Sequence, residues 1–181
     1  CGRRAALELQ KGYVINLGVG MPDSVANVAA EEGIASELYL SVESGPTGGV
    51  PIGGIAFGAA INPDSIIPTA EQFDAYNGGS LDMAIVGLAE VDQYGNVNVS
   101  SFGKRVTGPG GFINITQSTK KVIFMGTFTT NGLEEEITNA ALKIKQEGKK
   151  KKFVQKVQQI TFAAKTAISN HQTILYITER A

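Results

Sequence analysis

The chain has 181 residues, enough for one large domain or a domain with a small appendage, and its 43% apolar content is enough for a substantial core. With 16 basic and 17 acidic residues it carries no net field that would attract nucleic acid or an anionic membrane surface. No apolar run approaches the roughly 20 residues of a membrane span, and one cysteine and one histidine are too few for a disulfide framework or a zinc site. We therefore expect a soluble, cytoplasmic protein without a metal site, contacting neither nucleic acid nor membrane.

The first predicted elements are a helix, a strand and a second helix. Residues 3–11 have a helix-forming composition and end at Gly12, and the apolar run 13–17 predicts a buried strand. The turn 18–22 (GVGMP) leads from this strand into a helix over residues 23–32. Such a turn presents free amides to an anion or a carbonyl oxygen. It lacks the third glycine of the dinucleotide-binding fingerprint, so an ordinary strand-to-helix turn remains the alternative to a binding site.

The next predicted strand, residues 38–42, ends on one carboxylate, Glu43, which is followed by a loop over residues 44–51. Three glycines in this loop permit unusual backbone conformations, and two prolines stiffen it. An acid held in this way can act as a general base, a metal ligand or a covalent nucleophile. It can equally accept hydrogen bonds from the amides of its own loop. The loop residues alone leave these roles open.

The middle of the chain alternates apolar runs with loops. Residues 53–60 are small and apolar, which favours close packing against a neighbouring element, and a short strand is predicted at residues 66–67. Residues 71–79 are interpreted as a polar, aromatic loop. On that interpretation, Gln72, Phe73 and Tyr76 are candidate side chains of a substrate pocket.

Three further features precede residue 130. The apolar run 83–88 predicts a strand, and a turn at residues 94–96 leads into an alternating strand up to residue 100. A third glycine loop, residues 103–111 (GKRVTGPGG), precedes another apolar run. Residues 121–126 predict one more buried strand.

The remainder of the chain has a different character. Residues 142–145 and 153–157 alternate apolar and polar around residues 146–148, which predicts an antiparallel hairpin with one wet face. Lysines 149–152 suit a solvated turn better than a phosphate site, and His171 is interpreted as a surface residue. We therefore divide the chain into an α/β core over residues 1–132 and a β-meander with a closing strand over residues 133–181.

Four motifs in this order resemble the second, glutamate-bearing half of the family I coenzyme A transferases. They are the turn 18–22, SVESGP (residues 41–46), VGLAEVDQYGN (86–96) and TGPGGF (107–112). The likeness covers roughly residues 3 to 180 and is greatest to the fused acetate or propionate CoA-transferases. A sibling subfamily has Glu-Asn-Gly where this sequence has Glu-Ser-Gly.

The resemblance implies an α/β fold, a three-layer sandwich around a mainly parallel sheet of the kind shared with NagB- and RpiA-like proteins, with a small antiparallel β appendage toward the C-terminus. It implies ping-pong transfer of coenzyme A between a short-chain acyl-CoA and a carboxylic acid, through a glutamyl-CoA thioester on Glu43. Acyl-CoA is then a substrate, and no permanently bound cofactor is expected. A first Cys in place of Met and an end directly behind a strand-like run suggest a fragment. The N-terminal half or α subunit would be missing from it, and the full-length protein is expected to be a homo-oligomer.

The site residues follow from this resemblance and from the glycine loops. The expected catalytic residues are Glu43 as nucleophile, with Gly110 and Gly111 as amide donors. The expected substrate- and CoA-binding residues are Gly18, Gly20, Met21, Ser44, Gly45, Gln72, Phe73 and Gly108. Two alternatives remain at this stage: a non-catalytic half in which Glu43 caps its own loop, and a sugar-phosphate isomerase of similar fold that uses Glu43 as a base.

Overall fold

The computed structural model describes residues 1–139 and 141–180, so Ala140 and Ala181, the last residue of the predicted second segment, lie outside it. The α-helices are α1 (Gly2–Ala6), α2 (Asp23–Glu31), α3 (Thr69–Asn77), α4 (Phe112–Gln117) and α5 (Ala164–Ser169). The strands are β1 (Val14–Leu17), β2 (Tyr39–Ser41), β3 (Pro46–Thr47), β4 (Val50–Pro51), β5 (Ala60–Ile61), β6 (Ser65–Ile66), β7 (Met83–Gly87), β8 (Glu90–Asp92), β9 (Val97–Asn98), β10 (Ser101–Phe102), β11 (Arg105–Val106), β12 (Lys121–Met125), β13 (Thr129–Thr130), β14 (Glu134–Thr138), β15 (Ala141–Gln146), β16 (Lys150–Lys151), β17 (Phe153–Val154) and β18 (Thr173–Ile177).

A 7-stranded sheet forms the centre, with the order β18-β12-β7-β1-β2-β3-β6. The five strands from β18 to β2 are parallel. At one edge, β3 pairs antiparallel with β2 and with the outermost strand β6. Parallel neighbours cannot be joined by tight hairpins, so helices cross between them: α2 lies between β1 and β2 in the chain, and α5 between β12 and β18. The predicted α/β class with a mainly parallel sheet is confirmed.

The sheet is covered on both faces. Along β7, Met83 and Ile85 point into one buried cluster, which includes residues of α1 and α2. Ala84 and Val86 point into a second cluster with residues of α3, α4 and α5. Successive side chains of a strand face opposite sides, so a strand buried on both faces is apolar throughout, as this one is. The result is the three-layer sandwich that the resemblance implies.

Smaller, mostly antiparallel sheets surround this centre. The strand pairing within them shows that the predicted hairpin is wrong. Strand β15 pairs with β14, not with residues 153–157. Strand β17 instead pairs in parallel with β8, where Phe153 stacks on Phe128 at 4.7 Å between ring centroids. Aromatic burial gives β17 a better partner than the exposed strand β15, and the acidic run of β14 supplies the opposite strand.

Helix α3 replaces the predicted polar loop of residues 71–79. Pro68 precedes the helix, Glu71 lies in its first turn and Gly78 ends it, all of which are ordinary helix signals. Its buried residues, Gln72 and Tyr76, are spaced i, i+4 and so face the core together. The amphipathic pattern of this helix is hard to see in the sequence, because its buried residues carry polar groups and neither is aliphatic.

Three other local predictions also differ from the structure. The first helix stops at Ala6, and Glu8 beyond it pairs with Lys121 of the sheet, 2.9 Å away. Residues 53–60 are not closely packed: Ile55 is fully exposed. The lysine run is exposed at residues 149–151, as predicted, but it is not a turn, since β16 pairs with β13 and Lys152 Nζ donates to Leu88 O. His171 is exposed after α5, as predicted.

Candidate active site

Glu43 lies just beyond the carboxyl end of β2. Strand β2 is held in register against β1, with Asn16 opposite Ser41, and Val42 is fully buried. The chain then turns at Glu43, which is half-buried. Brought to the edge of a parallel sheet in this way, the carboxylate stands where open α/β folds bind their ligands.

The loop after Glu43 is tied to its surroundings by backbone hydrogen bonds. The Gly45 amide donates to Val42 O at 3.0 Å, and the Gly48 amide donates to Leu40 O at 2.9 Å. Ser44 Oγ donates to Gly58 O. Among the described residues, no hydrogen bond ends on the Glu43 carboxylate, so the amides of this loop leave it unbonded. The arrangement differs from the capping role considered for this acid.

Gly45 shows why this loop needs glycine. Its φ is +125°, a conformation that residues with a side chain rarely adopt, and a Cβ there would overlap Ile67 O. The Ile67 amide in turn donates to Gly45 O at 3.2 Å. The loop is therefore packed backbone to backbone against the segment that precedes α3.

A cavity of about 420 Å³ opens beside Glu43, within the range of small-molecule sites. Its walls are formed by the ends of β1 and β7, by the glycine loop before α4, and by Phe57. The lining residues are Asn16, Leu17, Gly18, Val19, Glu43, Phe57, Val86, Gly87, Val99, Thr107, Gly108, Pro109, Gly110, Gly111, Phe112 and Ile115. Among these described lining residues, Glu43 is the one with an ionisable side chain.

Gly111 is in direct contact with the carboxylate. A Cβ added at Gly111 would overlap Glu43 Oε2 and lie 2.7 Å from Phe73 Cζ. Glu43, Gly111 and Phe73 therefore meet at one point, although they are far apart in sequence. A side chain at position 111 would displace the carboxylate.

The amides near the cavity differ in their availability. The Gly18 amide donates to Ile85 O at 2.8 Å, the Gly20 amide to Asp23 Oδ2 at 3.1 Å, and the Gly108 amide to Ser100 O at 3.1 Å. Gly110 and Gly111 donate to no partner within residues 1–139 and 141–180. Gly111 is the N-cap of α4, where backbone amides lack an intrahelical acceptor. Of the glycine amides expected to bind a ligand oxygen, those of Gly110 and Gly111 are therefore the ones without a partner in the described part of the chain.

The structure separates the remaining expected residues. Gly18, Gly108, Gly110 and Gly111 line the cavity with Glu43, and Phe73 contacts the same point. Met21 packs against the core, while Gly20, Ser44 and Gly45 lie outside the cavity wall. Gln72 is 4% exposed and its Nε2 donates to the Tyr76 hydroxyl oxygen at 2.8 Å, so it supports the core instead of facing a ligand.

Sequence reasoning missed Asn16. This residue is 1% exposed, lines the cavity from β1 and bonds to Tyr76 and Ser41. The available signal was a lone amide in the otherwise apolar strand VINL. Buried polar side chains in such strands need partners, and those partners lie far along the chain.

Groups with altered acidity lie outside the cavity wall. Burial raises the pKa of Asp92, but hydrogen bonds from Asn96 and from the Tyr94 amide outweigh burial and hold the pKa below its usual value. Burial raises the pKa of Tyr176 to about 12. Both residues support the turn at residues 94–96, since Tyr176 also donates to Gly95 O. These shifts accompany structural roles.

The described residues offer neither a metal site nor a membrane-spanning helix. Among the described residues, no cluster of three or more histidine, cysteine, aspartate or glutamate side chains is arranged to hold a metal ion. None of the helices in that part of the chain has the length and apolar character needed to cross a membrane.

Comparison with known proteins gives the family. No protein-family model matches the chain. Caffeate CoA-transferase of Acetobacterium woodii is 49% identical over 98% of this chain and 35% of its own length. Acetate CoA-transferase YdiF of Escherichia coli K12 is 49% identical over 99% of this chain and 34% of its own length. The chain belongs to the family I coenzyme A transferases, as its motifs predict.

Solved structures agree with this assignment. The apoenzyme of acyl-CoA transferase YdiF from E. coli O157:H7 superposes with a TM-score of 0.91 and 45% identity, over 98% of this chain and 34% of that one. The same protein has also been solved as a thioester complex with CoA, with a TM-score of 0.91. The chain thus spans about a third of the length of these relatives.

Separate subunits match as well. Acetate CoA-transferase subunit beta of E. coli K12 is 34% identical over 67% of this chain and 59% of its own length. A segment similar to this chain therefore occurs among the relatives both within a long chain and in a named subunit.

Proposed function

We propose that the protein transfers coenzyme A between a short-chain acyl-CoA and a free carboxylic acid, with Glu43 as the covalent nucleophile. The observation that carries the proposal is the contact between the unbonded Glu43 carboxylate and Gly111, beside two unengaged amides. The 49% identity of nearly the whole chain to CoA-transferases supports the reaction class. The thioester complex solved for YdiF supports a covalent course.

The proposed reaction proceeds in four exchanges. A Glu43 carboxylate oxygen attacks the thioester carbonyl, and the C–S bond breaks to give a mixed anhydride and the CoA thiolate. The thiolate then attacks the glutamyl carbonyl, which releases the first acid and leaves a glutamyl-CoA thioester. The incoming carboxylate attacks the glutamyl carbonyl of this thioester, and the C–S bond breaks to give a second anhydride and the CoA thiolate. The thiolate finally attacks its acyl carbonyl, so a new acyl-CoA leaves and the Glu43 carboxylate is restored.

The residues around Glu43 suit this sequence. Each addition places negative charge on a carbonyl oxygen, and the amides of Gly110 and Gly111 are the donors that can stabilise it. Phe57, Phe112 and Val86 line the same cavity with apolar surface, which helps to keep water from the anhydride and the thioester. The proposed steps use no redox or metal chemistry. The CoA thioester takes part in them as a substrate and not as a bound cofactor.

We further propose that the active site is completed by a second half, on the same polypeptide or on a partner subunit. The chain spans about a third of its long relatives, and a separate beta subunit also matches. Val19 at the cavity wall is 61% exposed, and Ile55, two residues before Phe57 of the same wall, is fully exposed. Apolar side chains left uncovered beside a site are suited to contact another protein surface. A homo-oligomer of the full-length protein and a cytoplasmic location remain predictions.

Neither alternative function has comparable support. A capping role requires donors from the loop, and those amides bond to Val42 and Leu40 instead of to Glu43. A sugar-phosphate isomerase would hold its phosphate on the amides of the glycine loops, and those of Gly18, Gly20 and Gly108 already donate to acceptors within the protein.

The test is covalent capture in the intact protein, with the completing half present. After incubation with acetoacetyl-CoA, hydroxylamine or borohydride traps the thioester, and peptide mass mapping locates it. We expect modification at Glu43, none without acyl-CoA, and none at this position in the matched variant Glu43→Gln. A wild-type protein that transfers CoA but never carries label at Glu43 would refute the mechanism.

A further inference from the structure

A buried polar network includes Ser41, which lies two residues before Glu43. Its members are Asn16, Ser41, Gln72 and Tyr76, which are 1%, 0%, 4% and 1% exposed. They come from β1, β2 and α3, so the network joins the strand that carries Glu43 to its neighbouring strand and to a covering helix. Only Asn16 among them also lines the cavity.

The direction of each hydrogen bond follows from the available protons. Gln72 Nε2 at 2.8 Å and Asn16 Nδ2 at 3.2 Å can only donate to the Tyr76 oxygen. The single phenolic proton is therefore donated to Ser41 Oγ, 2.9 Å away. Ser41 in turn donates to Ile15 O at 3.3 Å.

The carbonyl oxygen of Ser41, which can only accept a hydrogen bond, determines how the Asn16 amide is turned. One Nδ2 proton points to Tyr76 and the other to Ser41 O, at 3.4 Å. The opposite orientation would place Oδ1 against the Ser41 carbonyl oxygen, where two acceptors repel each other. Oδ1 is consequently the end that is left over. It is buried and has no hydrogen-bond partner among the described residues.

We infer that Asn16 Oδ1 is a specificity-determining acceptor, which binds a hydroxyl or amide N–H of the ligand next to the carbon that Glu43 attacks. The inference rests on the proposed function. Asn16 is paired in register with Ser41, two residues before Glu43, and it lines the same cavity as the carboxylate. A buried acceptor penalises a ligand that leaves it unpaired, so the site favours ligands that carry a donor there.

Two parts of the substrates can supply this donor. One is a hydroxyl on the chain of the carboxylic acid, and the other is an amide N–H on the thiol arm of coenzyme A. The acid pair is propionate against its 2-hydroxy and 3-hydroxy derivatives. The thiol pair is the propionyl thioester of N-acetylcysteamine against that of propanethiol, which lacks the amide. Steady-state kcat/KM values for each pair, measured with the intact protein and its completing half, separate the two sources.

The decisive variant is Asn16→Leu, which has a similar volume and no acceptor. In the wild-type protein we expect the donor-bearing member of one pair to be favoured by about tenfold, and we expect this ratio to fall to about one in the variant. Asn98→Ala is the matched control, because Asn98 is also fully buried and bonded but does not line the cavity. It should lower the melting temperature and leave the ratio unchanged.

A second variant keeps the test open to refutation if Asn16→Leu does not fold. Tyr76→Phe leaves Asn16 in place and removes one of the two hydrogen bonds that hold its amide, so the donor preference must weaken there, although the Ser41 carbonyl oxygen still disfavours the opposite orientation. Equal ratios for both pairs in the wild-type protein, or ratios unchanged in both variants, overturn the inference while Glu43 still becomes labelled and CoA is still transferred. Absence of both label and transfer refutes the proposed function, and the inference with it.

Discussion

The carboxylate of Glu43 rests against the backbone of Gly111, close enough that a Cβ at position 111 would overlap Oε2. Gly111 has an ordinary φ of −76°, so its backbone conformation would accept any residue. The requirement for glycine comes from Glu43 on one side and Phe73 on the other. The contact therefore couples the glycine loop before α4 to the proposed nucleophile.

This contact predicts the effect of Gly111→Ala. The added methyl must push the Glu43 carboxylate or the Phe73 ring aside, and a shift of about 1 Å in a reacting group can lower the rate about 10²-fold. We expect kcat for CoA transfer in the intact protein to fall by about that factor, with a melting temperature near that of the wild type. Gly103→Ala, in an open exposed turn, is the control. Equal losses in both variants would contradict the role of the contact.

Shortening the nucleophile gives a second prediction. Glu43→Asp withdraws the carboxylate by one methylene from the unengaged amides of Gly110 and Gly111. We expect a loss of about 10²-fold or more in kcat, because attack geometry and oxyanion stabilisation both deteriorate. Circular dichroism should show a folded protein, since Glu43 makes no hydrogen bond within the described residues. Turnover close to that of the wild type would remove Glu43 from its proposed role.

The loop after Glu43 gives a prediction about stability. Gly45→Ala forces a residue with a side chain into a φ of +125° and against Ile67 O. We expect the free energy of unfolding to fall by about 3 kcal/mol, from backbone strain together with the backbone clash. Gly12→Ala is a control for strain alone, because its φ is +81° but no atom lies within 4 Å of the added Cβ. Denaturant unfolding should show a clearly smaller loss at Gly12; similar losses would mean that the contact with Ile67 is unimportant.

The pH dependence of stability can be tested at Asp82. Burial raises the pKa of this carboxyl, but Lys120 Nζ at 2.7 Å and the Val14 amide at 3.0 Å outweigh burial and hold the pKa below its usual value. A carboxyl whose pKa is lowered in the folded state stabilises the fold at pH values above its unfolded-state pKa of about 3.9. This stabilisation is lost as the pH falls through the folded-state pKa. Because Lys120 is exposed and water screens the pair, we expect Asp82→Asn to lose only about 0.5 kcal/mol at pH 7. Thermal unfolding should show a smaller difference near pH 2; an equal difference at both pH values would contradict the expectation, and Asp74→Asn is the exposed control.

Local patterns were sufficient for the elements that depend on neighbours in sequence. The apolar run of β7 reads as a doubly buried strand, and the turn after β1 leads into α2 as its glycines and Pro22 indicate. The position of Glu43 at a strand end follows in the same way. Patterns failed where tertiary contacts override them, as for α3, whose buried face consists of Gln72 and Tyr76, and for β17, which pairs with β8.

The sequence by itself therefore determined the α/β class, the strand that ends at Glu43 and the family, because these rest on residue periodicity, turn chemistry and ordered motifs. Only the tertiary structure decided which amides remain free beside the carboxylate, that Gly111 touches it, and that Asn16 turns its oxygen away from Ser41 and Tyr76. Each of these facts depends on the register between β1, β2 and α3 and on the approach of the loop before α4. Those segments lie tens of residues apart, and packing of the two buried layers sets their relative positions to within the length of a hydrogen bond.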